Sequence, residues 1–140
     1  MASPSGVAKF ADGTKQASNR LHILLALADV EDYETRRAAG GALAMLTEWD
    51  AAVQAVLGRD RGVTILLELC REDKDELRHR GVVSVRNIVC ATGAVGKVGM
   101  QKVKGEGGVE VLKGMLRETR NPEVLQIGVE ALKAIIQEEQ

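Results

Sequence analysis

Residues 37–46 read RAAGGALAML, with two adjacent glycines inside a run that otherwise has the composition of a helix. An interior glycine destabilises a helix by about 1 kcal/mol relative to alanine, so a pair of them needs a physical reason. Ala39, Leu43 and Leu46 are spaced at i, i+4 and i+7, which places them on one face of an α-helix. The stretch therefore predicts an amphipathic helix whose packed face includes a small residue.

The pattern around this helix occurs three times in the chain. NRLHILLALADVEDYETRRAAGGALAMLT begins at residue 19, RGVTILLELCREDKDELRHRGVVSVRNIV at residue 61 and GGVEVLKGMLRETRNPEVLQIGVEALKAII at residue 107. The first two segments are 42 residues apart, and the next two are 46 to 47 apart because the third turn is one residue longer. A period near 42 with two amphipathic helices per unit is typical of armadillo and HEAT solenoids. The sequence thus predicts an all-α fold, an armadillo/HEAT-like right-handed helical solenoid of about three repeat units.

Aligning the units brings residues into columns, and one column holds only small residues: Ala39, Gly81 and Gly128. We expect this column to face a neighbouring helix, where a small residue lets two backbones approach closely. It does not account for Gly41, which we expect on the opposite, exposed side of its helix, either leaving room for a partner or simply tolerated. The apolar columns are Leu24, Leu66 and Leu112; Leu27, Leu69 and Met115; Leu43, Val85 and Leu132; and Leu46, Ile88 and Ile135.

The repeat pattern also predicts where the domain begins and ends. Residues 1–18 are expected to form a flexible N-terminal segment, and residues 19–138 an armadillo-like repeat domain. Within the third unit, Asn121 is predicted to cap the helix that starts at Pro122.

Glycines concentrate between the second and third units, from Ala91 to Val109. They predict a long connection that carries a short helix around residues 98–103. The basic residues Lys97, Lys102 and Lys104 fall within it and are expected to lie in a solvated loop.

Composition and charge argue against several classes of function. A formal net charge of −1 and a pI of about 6.1 lack the basic character of a nucleic-acid-binding protein. No run of 18 apolar residues could span a membrane, and the first 16 residues lack the apolar region of a secretory signal. Cys70 and Cys90 lie in apolar helical patterns and are expected to be reduced and buried, so we expect a cytoplasmic protein.

The chain lacks the residue patterns of an enzyme. His22 and His79 lie in different units, with no set of Cys, His and carboxylate residues at metal-ligand spacing. No phosphate-binding loop, dinucleotide fingerprint or G-x-S-x-G motif is present. We therefore expect no catalysis, no cofactor and no metal.

Two stretches carry a family resemblance: TRRAAGGALAMLT at residues 35–47 and ELRHRGVVSVRNIV at residues 76–89. Together with RLHILLALADVED before them, they resemble the C-terminal armadillo-type repeats of the UCS-domain proteins, the myosin-directed chaperones of fungi and animals. The similarity covers roughly residues 19–137. It implies a chaperone or co-chaperone segment that binds the myosin motor domain and supports its folding and its assembly in the actin cytoskeleton, in cooperation with the Hsp90 system.

Two alternatives stay open at this point. A generic armadillo scaffold would read an extended peptide with a ladder of Trp and Asn residues on its inner helices, but only Asn87 stands at such a position. A structural C-terminal cap of a longer solenoid would have a polar last helix, and the ending IIQEEQ is compatible with that.

If a partner is bound, we expect it on the inner face of the second helices of the units. Trp49, just past the first of these helices, is either a semi-exposed anchor or a plug over the helix end, and we favour the plug. The predicted partner-binding residues are Arg37, Gly41, Met45, Arg80, Val83 and Asn87.

Overall fold

The computed structural model describes residues 18–138, and this part of the chain contains eight helices and no strand. The all-α prediction is confirmed. The predicted flexible segment, residues 1–18, lies outside the described residues except for Ser18, which is already helical. The helices are α1 (residues 18–28), α2 (Tyr33–Leu46), α3 (Asp50–Leu57), α4 (Gly62–Arg71), α5 (Asp75–Val89), α6 (Gly93–Gly105), α7 (Gly108–Glu118) and α8 (Pro122–Glu138).

The helices form three consecutive units that pack as a helical repeat solenoid. The first unit contains α1 and α2, the second α3 to α5, and the third α6 to α8. In the second and third units the two long helices pack against each other, α4 with α5 and α7 with α8. The last helices of the three units lie side by side, so that α5 packs against α2 on one side and α8 on the other.

The connection between the second and third units contains the predicted helix, but this helix is longer than expected: α6 has 13 residues, so the prediction that the three lysines lie in a loop is wrong. Two of its four glycines are sites of close packing: a Cβ at Gly96 would lie 1.7 Å from the carbonyl oxygen of Ala91, and one at Gly99 would lie 2.6 Å from Cγ2 of Ile88. The three lysines therefore project from a helix, where Lys97 is exposed and the other two are half-buried. The second and third units thus have three helices each.

Helix starts follow the local sequence. The carboxylate of Asp32 accepts hydrogen bonds from the hydroxyl and the backbone N–H of Thr35 at the start of α2, at 2.7 and 2.9 Å, and both lower the pKa of Asp32. The amide oxygen of Asn121 accepts the backbone N–H groups of Glu123 and Val124 at 2.9 and 3.2 Å, so the predicted cap of α8 is confirmed.

The core is aliphatic and continuous through the three units. One residue from each of four helices illustrates it: Leu43 on α2, Leu66 on α4, Val85 on α5 and Leu112 on α7 are all fully buried. All three members of the small column are buried as well. The first unit departs from the pattern, because Leu27 is 39% exposed where its counterparts Leu69 and Met115 are buried.

Gly81 explains why the column of small residues is needed. A Cβ at this position would lie 2.7 Å from Cβ of Leu69 and 2.9 Å from both the backbone nitrogen of Cys70 and the carbonyl oxygen of Leu66. The expected close approach of backbones is thus found between α4 and α5.

An arginine joins each unit to the next, half-buried in the case of Arg36 and buried in the case of Arg78. Arg36 of the first unit donates to the carbonyl oxygen of Ala28 at the end of its own α1 and pairs with Glu72 of the second unit at 2.6 Å. Arg78 of the second unit repeats the arrangement, donating to the carbonyl oxygen of Glu72 and pairing with Glu118 of the third unit at 2.8 Å. The side chain of Arg78 is only 6% exposed, so its charge depends on these partners.

Candidate partner-binding face

The six residues predicted to bind a partner lie on two neighbouring helices. Arg37, Gly41 and Met45 belong to α2, and the other three, Arg80, Val83 and Asn87, belong to α5. The structure packs these helices side by side. Their individual environments show which of the six are accessible and which are committed to contacts within the chain.

Gly40 and Gly41 together make room for the side chain of Arg80. A Cβ at Gly41 would lie 3.1 Å from Nε of Arg80, and one at Gly40 would lie 3.3 Å from its Cβ. The guanidinium also donates to the carbonyl oxygen of Glu76, one turn earlier on α5, at 3.2 Å. The expectation that Gly41 lies on an exposed side is therefore wrong. The two adjacent glycines of α2 pack against the side chain of an arginine of the next unit.

Arg37 is half-buried and already paired with carboxylates. Its guanidinium donates to Glu34 at 3.1 and 3.2 Å, which raises the pKa of Arg37, and its Nε lies 3.8 Å from Glu76. The hydroxyl of Tyr33 donates to the same Glu76 at 2.8 Å. The cationic group is thus neutralised locally, and it offers a partner less charge than its sequence position suggests.

Asn87 acts as a contact between units. Its Nδ2 donates to the carbonyl oxygen of Ala44 and to the hydroxyl of Thr47 on α2, both at 3.1 Å, and its Oδ1 accepts from Nε of Arg86. Since both ends of the amide are bonded within the chain, this residue fixes α5 against α2. Val83 beside it is half-buried.

Met45 and Trp49 are the accessible apolar side chains of this face. Met45 is 72% exposed near the end of α2, and Trp49 follows four residues later at 68% exposed. The interpretation of Trp49 as a plug is wrong, because its position at the start of α3 leaves the ring outside the core. The sequence signal was present, since Trp49 is the single tryptophan of the chain, next to a charged turn.

A cleft of about 310 Å³ opens between the C-terminal ends of α2 and α5, next in sequence to these two residues. Arg86 lies in its wall and pairs across to Glu130 of α8 at 2.9 Å, so this charge is also satisfied within the chain. The lining residues are Thr47, Glu48, Asp50, Arg86, Asn87, Cys90, Ala91 and Thr92.

The two cysteines differ in environment. Cys70 is fully buried in α4, and burial raises the pKa of its thiol to about 12. Cys90 is exposed at the cleft, so the prediction that both thiols are buried is wrong for this residue. Partial desolvation raises the pKa of Cys90, and the nearby charge of Arg86 opposes that effect.

Within residues 18–138, no group of three or more His, Cys, Asp or Glu side chains is placed to hold a metal ion. His79 instead lies 3.1 Å from the carboxylate of Glu123 and links α5 to α8. Over the same part of the chain, none of the helices has the length and hydropathy needed to cross a membrane.

The chain is similar to segments of two curated proteins. It is 36% identical to Ring assembly protein 3 of Schizosaccharomyces pombe over 72 residues, which are 51% of this chain and 10% of that protein. It is 30% identical to Protein unc-45 homolog B of Danio rerio over 124 residues, 87% of this chain and 13% of that protein. The chain is similar to proteins of the UCS family. Both matched proteins are members of this family of myosin-directed chaperones, so the resemblance predicted from the sequence is confirmed.

The relationship covers most of this chain but only about a tenth of the length of the matched UCS proteins. No family model matches the chain. The solved structure of an engineered protein aligns with 84% of this chain and 62% of its own, at 20% identity and a TM-score of 0.48.

Proposed function

We propose that this segment contributes a client-binding surface to a myosin-directed chaperone, and that its client is the myosin motor domain. The observation that carries the proposal is the similarity to two UCS proteins, one of them matched over 87% of this chain. On this proposal the role is non-enzymatic and cytoplasmic. Cooperation with the Hsp90 system stays a prediction of the same resemblance.

The surface we assign to the client is the end of α2 and the adjoining cleft. Met45 and Trp49 offer a flexible thioether and a large aromatic ring, both more than two-thirds exposed. Polarizable, adaptable side chains of this kind suit a client that is partly unfolded and presents varied apolar surface, and tryptophan is over-represented among residues that dominate binding energy. Val83, half-buried on the neighbouring helix, extends the apolar part of the face.

Charge plays a smaller part in this proposal than the sequence suggests. Arg37 pairs with Glu34, Arg86 pairs with Glu130, and Arg80 lies across the two glycines of α2. A client would have to break these contacts to use the cations. We therefore infer that binding is driven mainly by apolar contact and depends only weakly on salt concentration.

Of the alternatives, a peptide-reading scaffold is less well supported, because the single ladder residue, Asn87, is bonded to α2 at both ends of its amide. A capping role for α8 would require a polar outer face. Leu125 and Ile136 on this helix are instead 46% and 43% exposed.

The proposal is tested by fluorine NMR on this chain labelled with 5-fluorotryptophan. Trp49 is the single tryptophan, so the spectrum has one resonance to follow. Titration with an unlabelled myosin motor domain is expected to broaden and shift that resonance. An unchanged resonance at a saturating concentration of the motor domain would remove Trp49 and its surroundings from the contact.

Variants then locate the surface by calorimetric affinity. We expect Met45→Asp and Trp49→Ala to weaken motor-domain binding roughly tenfold or more, as for central residues of interfaces. The matched control is Val98→Asp, which places the same charge on an apolar residue that is 55% exposed on α6. Equal losses in Met45→Asp and Val98→Asp would contradict the assignment of this face.

A further inference from the structure

Both ends of the stack of units expose large apolar side chains. At the N-terminal end they belong to α1 and the turn that follows it, and at the C-terminal end they belong to α8. The residues, with their exposed fractions, are Ile23 (57%), Leu27 (39%) and Val30 (40%) at the first end, and Leu125 (46%), Val129 (36%) and Ile136 (43%) at the second. We call these sets the leading face and the trailing face.

The residues of the trailing face are aligned with positions through which each unit contacts the next. In the repeat alignment Leu125 takes the position of Arg36 and Arg78, and both of those arginines contact the following unit. Val129 takes the position of Gly40 on α2 and of Val82 on α5. Gly40 contacts the following unit, and Val82 is fully buried. The trailing face is therefore the surface that a further unit would cover.

The residues of the leading face are aligned with positions through which each unit contacts the preceding one. Glu72 and Glu118 are the carboxylates that receive the arginine of the preceding unit, and the residue aligned with them in the first unit is Val30. Leu27 likewise takes the position of Leu69, whose Cδ1 lies 3.4 Å from where a Cβ of Gly40 in the preceding unit would be. The leading face is the surface with which a unit covers the one before it.

At the aligned positions, both end faces have apolar residues in place of the charged residues of the internal contacts. Where an internal contact has an arginine on one side and a glutamate on the other, the trailing face has Leu125 and the leading face has Val30. The internal arginine side chains are only 14% and 6% exposed, so a valine opposite such an arginine would leave a desolvated, unpaired charge. The internal glutamates are 34% and 66% exposed, so a leucine opposite one of them would leave an unpaired charge that water partly solvates, at a smaller cost. Leucine opposite valine leaves none, so the leading face of this chain fits its own trailing face.

We infer that a second copy of this chain docks its leading face on the trailing face of the first. The contact continues the solenoid from one molecule into the next, with Val30 of one copy beside Leu125 of the other in place of the internal Arg–Glu pair. Because the two surfaces differ, the contact is heterologous and does not close on itself. Association therefore proceeds beyond a dimer, to an open series whose length grows with concentration.

Sedimentation velocity of the full chain tests this inference. The weight-average sedimentation coefficient of the wild-type chain is expected to rise with concentration and to pass the value of a dimer. Leu125→Arg alone should weaken association roughly tenfold or more, because the aligned arginines are only 14% and 6% exposed and the contact would desolvate an unpaired charge. Val30→Glu alone should weaken association less, because the aligned glutamates are 34% and 66% exposed. Both positions are at least 40% exposed in the single chain, so neither variant is expected to affect its fold.

The double variant Leu125→Arg/Val30→Glu is the decisive arm. It rebuilds between molecules the ion pair found at the two internal contacts, so association should return to within a few-fold of wild type, and mixing the two single variants should do the same. Val98→Arg on α6 is the matched control and should associate like wild type. Circular dichroism and urea melts of each variant verify the fold.

Three results would overturn the inference. The wild-type chain could remain monomeric at every concentration. The double variant could associate as weakly as Leu125→Arg alone, which would indicate a symmetric contact between like faces. Finally, Val98→Arg could weaken association as much as the end-face variants, which would indicate nonspecific attraction.

Discussion

Replacing Gly81 by alanine tests the closest helix contact of the fold. The added Cβ would lie 2.7 Å from Cβ of Leu69 and 2.9 Å from two backbone atoms of α4, on Leu66 and Cys70. Backbone atoms cannot rotate aside, so α5 must move away from α4. Overpacking of this kind costs about 1–3 kcal/mol, and removing an interior helix glycine returns about 1 kcal/mol. Because two of the three atoms are backbone, we take the upper end and expect a net loss of about 2 kcal/mol.

Urea unfolding followed by circular dichroism measures this loss. For an m-value of about 2 kcal/mol per molar urea, the midpoint should fall by about 1 M. The matched control is Gly114→Ala on α7, where an added Cβ meets nothing within 4 Å. That variant should gain up to about 1 kcal/mol, because it only removes an interior glycine. If both variants moved the midpoint in the same direction, the close approach at Gly81 would be refuted.

Two further predictions concern the thiols and the buried charges. A thiol reagent at pH 8 should rapidly modify one thiol per chain, that of Cys90, while the thiol of Cys70, with a pKa of about 12, reacts only on unfolding. The rate of the rapid reaction should rise with pH as the Cys90 thiolate forms, and Cys90→Ser should abolish this reaction. Arg78→Ala should destabilise the chain by about 1–3 kcal/mol, because it removes a buried side chain and leaves the carbonyl oxygen of Glu72 without its donor, while the carboxylates of Asp75 and Glu118 are partly solvated. Arg37→Ala, whose side chain is 39% exposed, should cost under about 1 kcal/mol in the same urea melts.

The fold was predictable because its evidence is periodic. The spacing of Leu43, Val85 and their counterparts identifies a helix face regardless of what lies opposite, and the 42-residue interval identifies units that stack. The column of Ala39, Gly81 and Gly128 was also read correctly, since three small residues at one position indicate close packing.

The candidate site was less predictable, because the contacts of each of its side chains depend on how far one unit is shifted along the next. Asn87 donates to a carbonyl oxygen and a hydroxyl group at the end of α2, 43 and 40 residues away, and Arg80 lies over Gly41 from another unit. Neither contact follows from the pattern of a single helix. The glycines of α6 were misread for a related reason: Gly96 and Gly99 allow close packing, but in sequence such residues look the same as those of a loop.

The ion pair carried from Arg36 to Glu72 and from Arg78 to Glu118 has a consequence for how the molecule comes apart. Each arginine also donates to a carbonyl group at the end of the preceding helix of its own unit, so unfolding of one unit leaves a charged side chain of the neighbouring unit without its partner. The middle unit forms such an ion pair with both of its neighbours, while each outer unit forms one with the middle unit alone. Amide protection against deuterium should therefore be greatest in α5 and decline toward either extremity, because loss of order spreads inward along the stack.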